Sequence, residues 1–345
     1  MKKLFGRLSE GEVYSVTLEN GAGMRCTVIT LGCILQSLYV PDKCGKSENV
    51  VLGYNSAEDY RRSCGHFGEV VGRCCNRIGN STFTLDGVKY TLPANDGKNH
   101  LHGGPDGFGE RIWEIESFCE HSVTLSLISE DGDMGYPGRL CARCTYTLSE
   151  DSKLIISYEA TTDKATPVCL TNHSYFDLCG VGSGRTLDML LRLDCDRICN
   201  TSEKLIPDGT FSDVAGTPYD FRTEKAIGHD IGAHFGLLRH CNGYDTNYFI
   251  KDFDGKLRSA GRLSDPVSGR SMEILTDLPC IQLYTGNMIG SDNPPFYGTI
   301  KPGGHMGVCL ETQVMPDAVN HPGITDTILR PGEKYSKTTV FDFGA

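Results

Sequence analysis

Residues Thr171-Asn-His-Ser-Tyr-Phe-Asp-Leu178 set His173 among amide, hydroxyl, aromatic and carboxylate side chains, directly after the strand-like run Pro167-Val-Cys-Leu170. An imidazole titrates near neutral pH and can give or take a proton, and polar neighbours can fix its tautomer. One histidine alone carries no assignment, because a hydrogen-bonded core histidine has the same appearance. Glu311 ends a second apolar run, Val308-Cys-Leu310, just ahead of Gln313 and Pro316-Asp-Ala318. A carboxylate closing a buried strand costs desolvation free energy unless partners satisfy it, which marks such a position as a site. Glu311 is therefore the candidate base.

Four further segments offer polar groups. In Asn99-His-Leu-His-Gly-Gly104, an extended backbone would put His100 and His102 on one face, and the glycines would let the main chain approach a ligand closely. That pair, with His173 and a distant Glu, has the donor set of a metal site in a small β-barrel; it equally suits a metal-free polar pocket with one histidine in a turn. Gly72-Arg-Cys-Cys-Asn-Arg-Ile78 offers Arg73, Asn76 and Arg77, whose guanidinium forks and amide suit sugar hydroxyls or carboxylates; a surface ion pair explains Arg73 equally well. Asn242-Gly-Tyr-Asp-Thr-Asn247 puts Asp245 in a turn before a strand, where turn chemistry alone would favour Asp. Cys280-Ile-Gln-Leu-Tyr284 puts Gln282 and Tyr284 on one face of a strand.

The elements that must position these groups are strands. The clearest local signal is Thr82-Phe-Thr-Leu-Asp-Gly-Val-Lys-Tyr-Thr-Leu92, two alternating runs joined by Asp86-Gly87, which predicts a hairpin with a type I′ turn. Alternation recurs over residues 24–31, 122–128, 140–148, 154–161, 257–263, 271–276 and 337–343. Helical periodicity is confined to short stretches, residues 56–62 and 224–233, too little for an alternating strand and helix fold. With 41 Gly, 15 Pro, 14 Phe and 15 Tyr in 345 residues, and no linker or repeat, the expectation is all-β: one large antiparallel β-sandwich domain over residues 1–345 with only short helices.

Composition narrows the partners. A formal charge of −11 opposes binding to nucleic acid or an anionic membrane and favours a neutral small molecule. The start, Met-Lys-Lys-Leu-Phe-Gly-Arg, has too short an apolar run for a signal peptide, and no stretch approaches the length of a membrane span, so a cytoplasmic location is expected. Most of the 16 Cys then read as small core residues rather than disulfides. Cys141 and Cys144 fall in one alternating run and point to opposite faces, and no second pair follows, which argues against a zinc site. Asp131-Gly-Asp-Met-Gly135 has its glycines misplaced for a calcium loop, and Gly180-Val-Gly-Ser-Gly184 has no helix to receive a phosphate; a turn and a loop are expected.

Taken in order, residues 72–78, 99–104, 131–138, 171–178, 282–287, 311–320 and Leu329-Arg-Pro-Gly-Glu333 resemble the aldose 1-epimerase (galactose mutarotase) family over nearly the whole chain. The resemblance implies a large β-sandwich enzyme that uses no cofactor or metal and interconverts the α and β anomers of free hexoses such as galactose and glucose. It implies Glu311 as the base at the anomeric hydroxyl and His173 as the acid at the ring oxygen. Asn76, Arg77, His102, Asp245 and Gln282 fall on sugar-contacting positions, and His102 also on one that helps polarise the ring oxygen. No role carries over to His100 or Arg73. The chain departs from the family pattern at Asp177, where Asn is common, at Cys74-Cys75, at Thr246 and at Gly323-Ile324; Asp177, if close, would raise the His173 pKa.

Other readings stay open on sequence grounds. A glycoside hydrolase would use Asp245 and Glu311 as its carboxylate pair, leaving His173 without a task. A sugar-sensing module would keep the amides and dispense with acid and base. A phosphorylated sugar is disfavoured by the acidic chain. The preferred aldose and the choice between monomer and homodimer are open.

Overall fold

The computed structural model describes residues 1–343. Antiparallel strands dominate it. The hairpin Thr82–Leu85/Val88–Thr91 forms as predicted, with Asp86 and Gly87 at φ 50° and 79°, the left-handed pair that a type I′ turn demands. Residues 56–62 give one short α-helix, Ala57–Arg62, whose first turn is capped by Ser56: the Asp59 amide donates to its Oγ at 3.1 Å. The helical expectation over residues 224–233 fails. There Ala226 pairs with Leu190 at a sheet edge, in strand Lys225–Ala226, and only a 3₁₀ turn follows over Ile227–His229. Pairing of that edge and burial of Ile227 outweigh a weak periodicity interrupted by Gly228 and Gly232.

Three sheets make up the body. An N-terminal meander joins Lys2–Leu8, Gly11–Glu19, Arg25–Ile29, Ile34–Pro41 and Ser47–Asn49 in sequence order. A nine-stranded sheet has at its centre Leu140–Leu148, Lys153–Thr162, Tyr335–Asp342 and Ser271–Thr276. A six-stranded sheet runs Tyr175–Phe176, Val308–Gln313, Cys280–Tyr284, Asp245–Ile250, Cys195–Thr201 and Pro207–Asp213.

Alternation decides what each sheet buries. On the nine-stranded sheet Leu140, Ala142, Cys144, Tyr146 and Leu148 enter one core with Leu154, Ile156, Tyr158 and Ala160. Val16, Leu18, Cys26 and Val28 of the meander, and Tyr248, Ile281, Leu283, Val308 and Leu310 of the six-stranded sheet, belong to the same core. The side chains between those last five must point the other way. They are Asp245 and Asn247, Gln282 and Tyr284, and Cys309 and Glu311, and of these Asp245, Gln282, Tyr284 and Glu311 line the candidate site.

Arg73 is neither a surface ion pair nor a sugar ligand. It is buried, and it donates to the carbonyls of Pro137 and Gly138, both at 2.9 Å, and to Ser129 Oγ at 2.7 Å, pinning the 129–138 turn to the body. His100 is likewise structural: Nδ1 donates to the Pro93 carbonyl at 2.7 Å, and Nε2 bonds the Tyr136 hydroxyl at 2.9 Å. The calcium-like segment is a turn, with Gly132 at φ 85°, and residues 180–184 form a loop. All 16 cysteines are free thiols; Cys144 is in the core and Cys141 is half-buried on the opposite face.

Candidate active site

Register builds two adjacent rows across the six-stranded sheet. Asn247 pairs with Gln282, and Gln282 with Glu311. One step along, Asp245 pairs with Tyr284, Tyr284 with Cys309, and Cys309 with Tyr175. Above these rows lies a cavity of about 200 Å³ lined by Asn76, Arg77, His102, His173, Asp245, Gln282 and Glu311, with His66, Tyr175, Tyr284 and Met288 at its walls. Every site residue expected from the sequence is there.

Three loops complete the pocket. His173 follows the two-residue strand Thr171–Asn172, and its main chain is tied on both sides: its amide donates to the Glu69 carbonyl at 2.9 Å, and its carbonyl accepts from the Gly68 amide at 3.0 Å. Asn76 and His102 sit at φ 58° and 52°, left-handed values that non-glycine residues adopt at a cost of order 1 kcal/mol and that cluster at functional sites. The turn at His102 breaks the extended backbone that would have put it on a face with His100, so the four-residue His-x-His set is not assembled. The donor atoms of His102, His173 and Glu311 do lie within 4.8 Å of one another, a spacing that can bracket one sugar oxygen or one ion.

Hydrogen bonds orient each group. The Asn76 main-chain N–H donates to His102 Nδ1 at 3.2 Å, which leaves the neutral ring's proton on Nε2, available to an oxygen. Arg77 Nε donates to Asp96 Oδ2 at 2.8 Å, and Gln282 Nε2 to Asp245 Oδ1 at 2.6 Å. The Gln282 carbonyl oxygen, Glu311 Oε2 and both amide atoms of Asn247 are buried with no partner among the described residues. Such atoms carry a desolvation cost that a polyhydroxylated ligand can relieve.

Burial sets the electrostatics. It pushes the His173 imidazole down to about 3, with His66 nearby adding to the depression, and it drives Glu311 well above the usual carboxylate range, where Asp245 reinforces the rise and Arg77 opposes it. His173 Nε2 and Glu311 Oε1 are 3.6 Å apart. Burial therefore favours the neutral couple, carboxylic acid and imidazole, over the ion pair with the same proton count. Burial, with neighbouring histidines and Arg77, also keeps His102 neutral.

The model of the aldose 1-epimerase family matches residues 14–342. The chain belongs to the aldose 1-epimerase family. Among aldose epimerases it is 40% identical to the galactose mutarotase of Bos taurus over 97% of this chain and 95% of that relative. It is 37% identical to the aldose 1-epimerase of Escherichia coli K12, over 97% and 96% respectively. Of solved epimerase structures, an aldose epimerase homologue from C. elegans superposes with a TM-score of 0.87 at 30% identity, covering 96% of this chain and 98% of that one. The galactose 1-epimerase of Lactobacillus acidophilus does so at 0.86 and 29%, covering 100% and 98%. The β-sandwich and the carbohydrate isomerase class expected from the motifs thus hold for this epimerase.

One pocket residue carries no signal in the sequence, and one expectation is answered by the structure. His66 lines the pocket and was not foreseen, although Gly65-His-Phe-Gly-Glu69 directly precedes the arginine segment. Asp177 does not act on His173: its carboxylate accepts from the Ser183 hydroxyl at 3.0 Å and the Cys179 amide at 3.2 Å, and burial raises its own pKa to about 6.

Proposed function

We propose that Glu311 and His173 carry the mutarotase reaction of this aldose 1-epimerase, the α to β interconversion of free aldohexoses such as galactose and glucose. The observation that carries the assignment is their 3.6 Å approach inside a buried pocket lined by polar side chains.

Ring opening uses the ion-paired form of the couple, reached when the proton moves from Glu311 to His173: the Glu311 carboxylate takes the proton of the C1 hydroxyl. The C1–O5 bond breaks with its electron pair going to O5, O5 takes the proton of the His173 imidazolium, and C1 becomes an aldehyde. The pair then stands as carboxylic acid and neutral imidazole, the proton arrangement that burial favours. Rotation about C1–C2 presents the other face. On closure His173 takes the proton from the C5 hydroxyl as its oxygen attacks C1, and Glu311 returns a proton to the aldehyde oxygen. Both residues end as they began, so each direction uses the same groups in reversed roles.

The remaining residues bind. Asp245, Gln282, Asn76 and Arg77 present acceptors and donors to hydroxyls, and His102 offers its Nε2 proton on the His173 side, toward the ring oxygen. A substrate lacking one of these hydroxyls leaves a buried group unpaired, the strongest route to selectivity. A glycosidase reading would give His173 no task, although it stands beside Glu311. The partner is a neutral monosaccharide, consistent with the charge of −11. No helix among the described residues is long and apolar enough to cross a membrane; the free thiols favour a reducing, cytoplasmic setting. Polarimetry on freshly dissolved α-galactose and α-glucose tests the assignment: loss of catalysis in Glu311→Gln and His173→Asn supports it, and wild-type rates in either remove that residue.

A further inference from the structure

His66 is a pocket histidine to which the acid and base scheme gives no task. Its ring centroid lies 4.7 Å from that of His102 and 5.7 Å from that of His173. Its backbone is left-handed, at φ 58°, like Asn76 and His102, so a strained turn aims it. Behind it, Glu69 Oε1 accepts from Nδ1 at 2.6 Å. The carboxylate has a slot made for it: a Cβ on Gly109 would stand 2.1 Å from the Glu69 carboxyl carbon. The Gly68 and Glu69 main chain in turn holds His173.

With Nδ1 committed to Glu69, only Nε2 of His66 can meet a ligand. Burial opposes a charge on the ring, and the Glu69 carboxylate, with Glu110 beyond it, outweighs burial and lifts the imidazole above its ordinary value. The other groups around it are His102 and His173, both held neutral, and Glu110, which is paired with Arg61. His66 is thus the proton-rich member of three clustered histidines.

Position tells which part of the sugar it meets. In an aldopyranose the ring oxygen joins C1 to C5. With Glu311 at the C1 hydroxyl and His173 at the ring oxygen, a donor whose ring lies 5.7 Å from that of His173 is within reach of the substituent on C5, the ring oxygen's other neighbour. We propose that the His66–Glu69 couple determines specificity by donating a hydrogen bond from Nε2 of His66 to the oxygen on C6 of the substrate. The site then favours aldohexoses over 6-deoxyhexoses and over pentoses that lack C6. This inference rests on the acid and base assignment above.

The test compares kcat/KM for galactose, 6-deoxygalactose and L-arabinose, which has the galactose configuration without C6, in the unmodified protein and in His66→Phe. Glu69→Gln serves as a second variant that keeps the His66 ring and removes the charge behind it. The unmodified protein should prefer galactose to both analogues by at least about tenfold, the worth of one polar contact to a hydroxyl. In His66→Phe the galactose to arabinose ratio should collapse by about that factor, and Glu69→Gln should lower it part of the way. An unchanged ratio in both variants, with galactose and arabinose falling together or not at all, would overturn the inference while leaving the reaction intact. Inactivity of the unmodified protein on all three sugars would overturn the acid and base assignment and this inference with it.

Discussion

His173 Nε2 lies 3.6 Å from Glu311 Oε1, and the two groups are buried beneath a pocket whose other walls are polar. A pair that shares one proton acts as a unit. Removing either member should lower turnover by at least about a hundredfold, and the double variant His173→Asn/Glu311→Gln should be about as slow as the slower single one. Polarimetric kcat values for the three variants check this; multiplicative losses would mean two independent groups.

The pH dependence follows from the same pair. A second proton goes onto His173, whose pKa is depressed to about 3, so the one-proton form persists far below the ordinary imidazole value of 6.5. The remaining proton is lost only above the usual carboxylate range, because Glu311 is raised. kcat/KM should therefore show no acid limb with a midpoint near 6.5, as long as the protein remains folded. An acid limb centred near 6.5 would place the His173 imidazole in water-like surroundings and contradict the buried geometry.

Arg77 holds Asp96 at 2.8 Å and moderates the carboxyls of Asp245 and Glu311. Arg77→Met should raise KM by about tenfold or more through lost hydroxyl contacts, with a smaller fall in kcat as Glu311 becomes harder to ionise. Steady-state kinetics on galactose separate the two; a pure kcat effect would remove Arg77 from binding.

Asp177 links a departure from the family pattern to stability. Its folded pKa of about 6 is raised by burial over an ordinary value of 3.8, so between those values the folded state binds the extra proton, and stability falls as pH rises through that window. Asp177→Asn keeps an acceptor for the Cys179 amide and removes the buried charge. It should stabilise the fold at pH 7 by about 1 to 3 kcal/mol and lose that advantage below about pH 4. Urea unfolding midpoints at pH 7 and pH 4 measure it, and equal effects at both would show that charge is not the cause.

Much of this was legible in the chain because the informative patterns are local. Alternation over residues 140–148 and 271–276 names strands whose neighbours supply their own partners, and Asp86-Gly87 specifies its turn through two positive φ values. The edge strand Lys2–Leu8 escaped notice because it is largely exposed and carries no inward and outward code. Residues 224–233 misled because a weak helical period cannot compete with sheet pairing at Ala226. At the site, Glu311 stands out as a carboxylate ending an apolar run, whereas His173, Asp245 and Gln282 gain a role only through the family resemblance and the pocket that gathers them. His66 has neither signal, since only the fold of the 63–69 loop against Glu69 and His173 gives it neighbours. Arg73 was ambiguous for the same reason: its acceptors are mostly main-chain carbonyls of a distant turn, invisible in side-chain chemistry.

The most direct test is the optical rotation of freshly dissolved α-galactose followed at pH 7 with the unmodified protein and with Glu311→Gln at equal concentration, alongside circular dichroism to confirm that both are folded. The Glu311 and His173 account predicts rapid decay to the equilibrium rotation with the former and a rate at least about a hundredfold lower with the latter. A folded Glu311→Gln variant that equilibrates the anomers at the unmodified rate would contradict it.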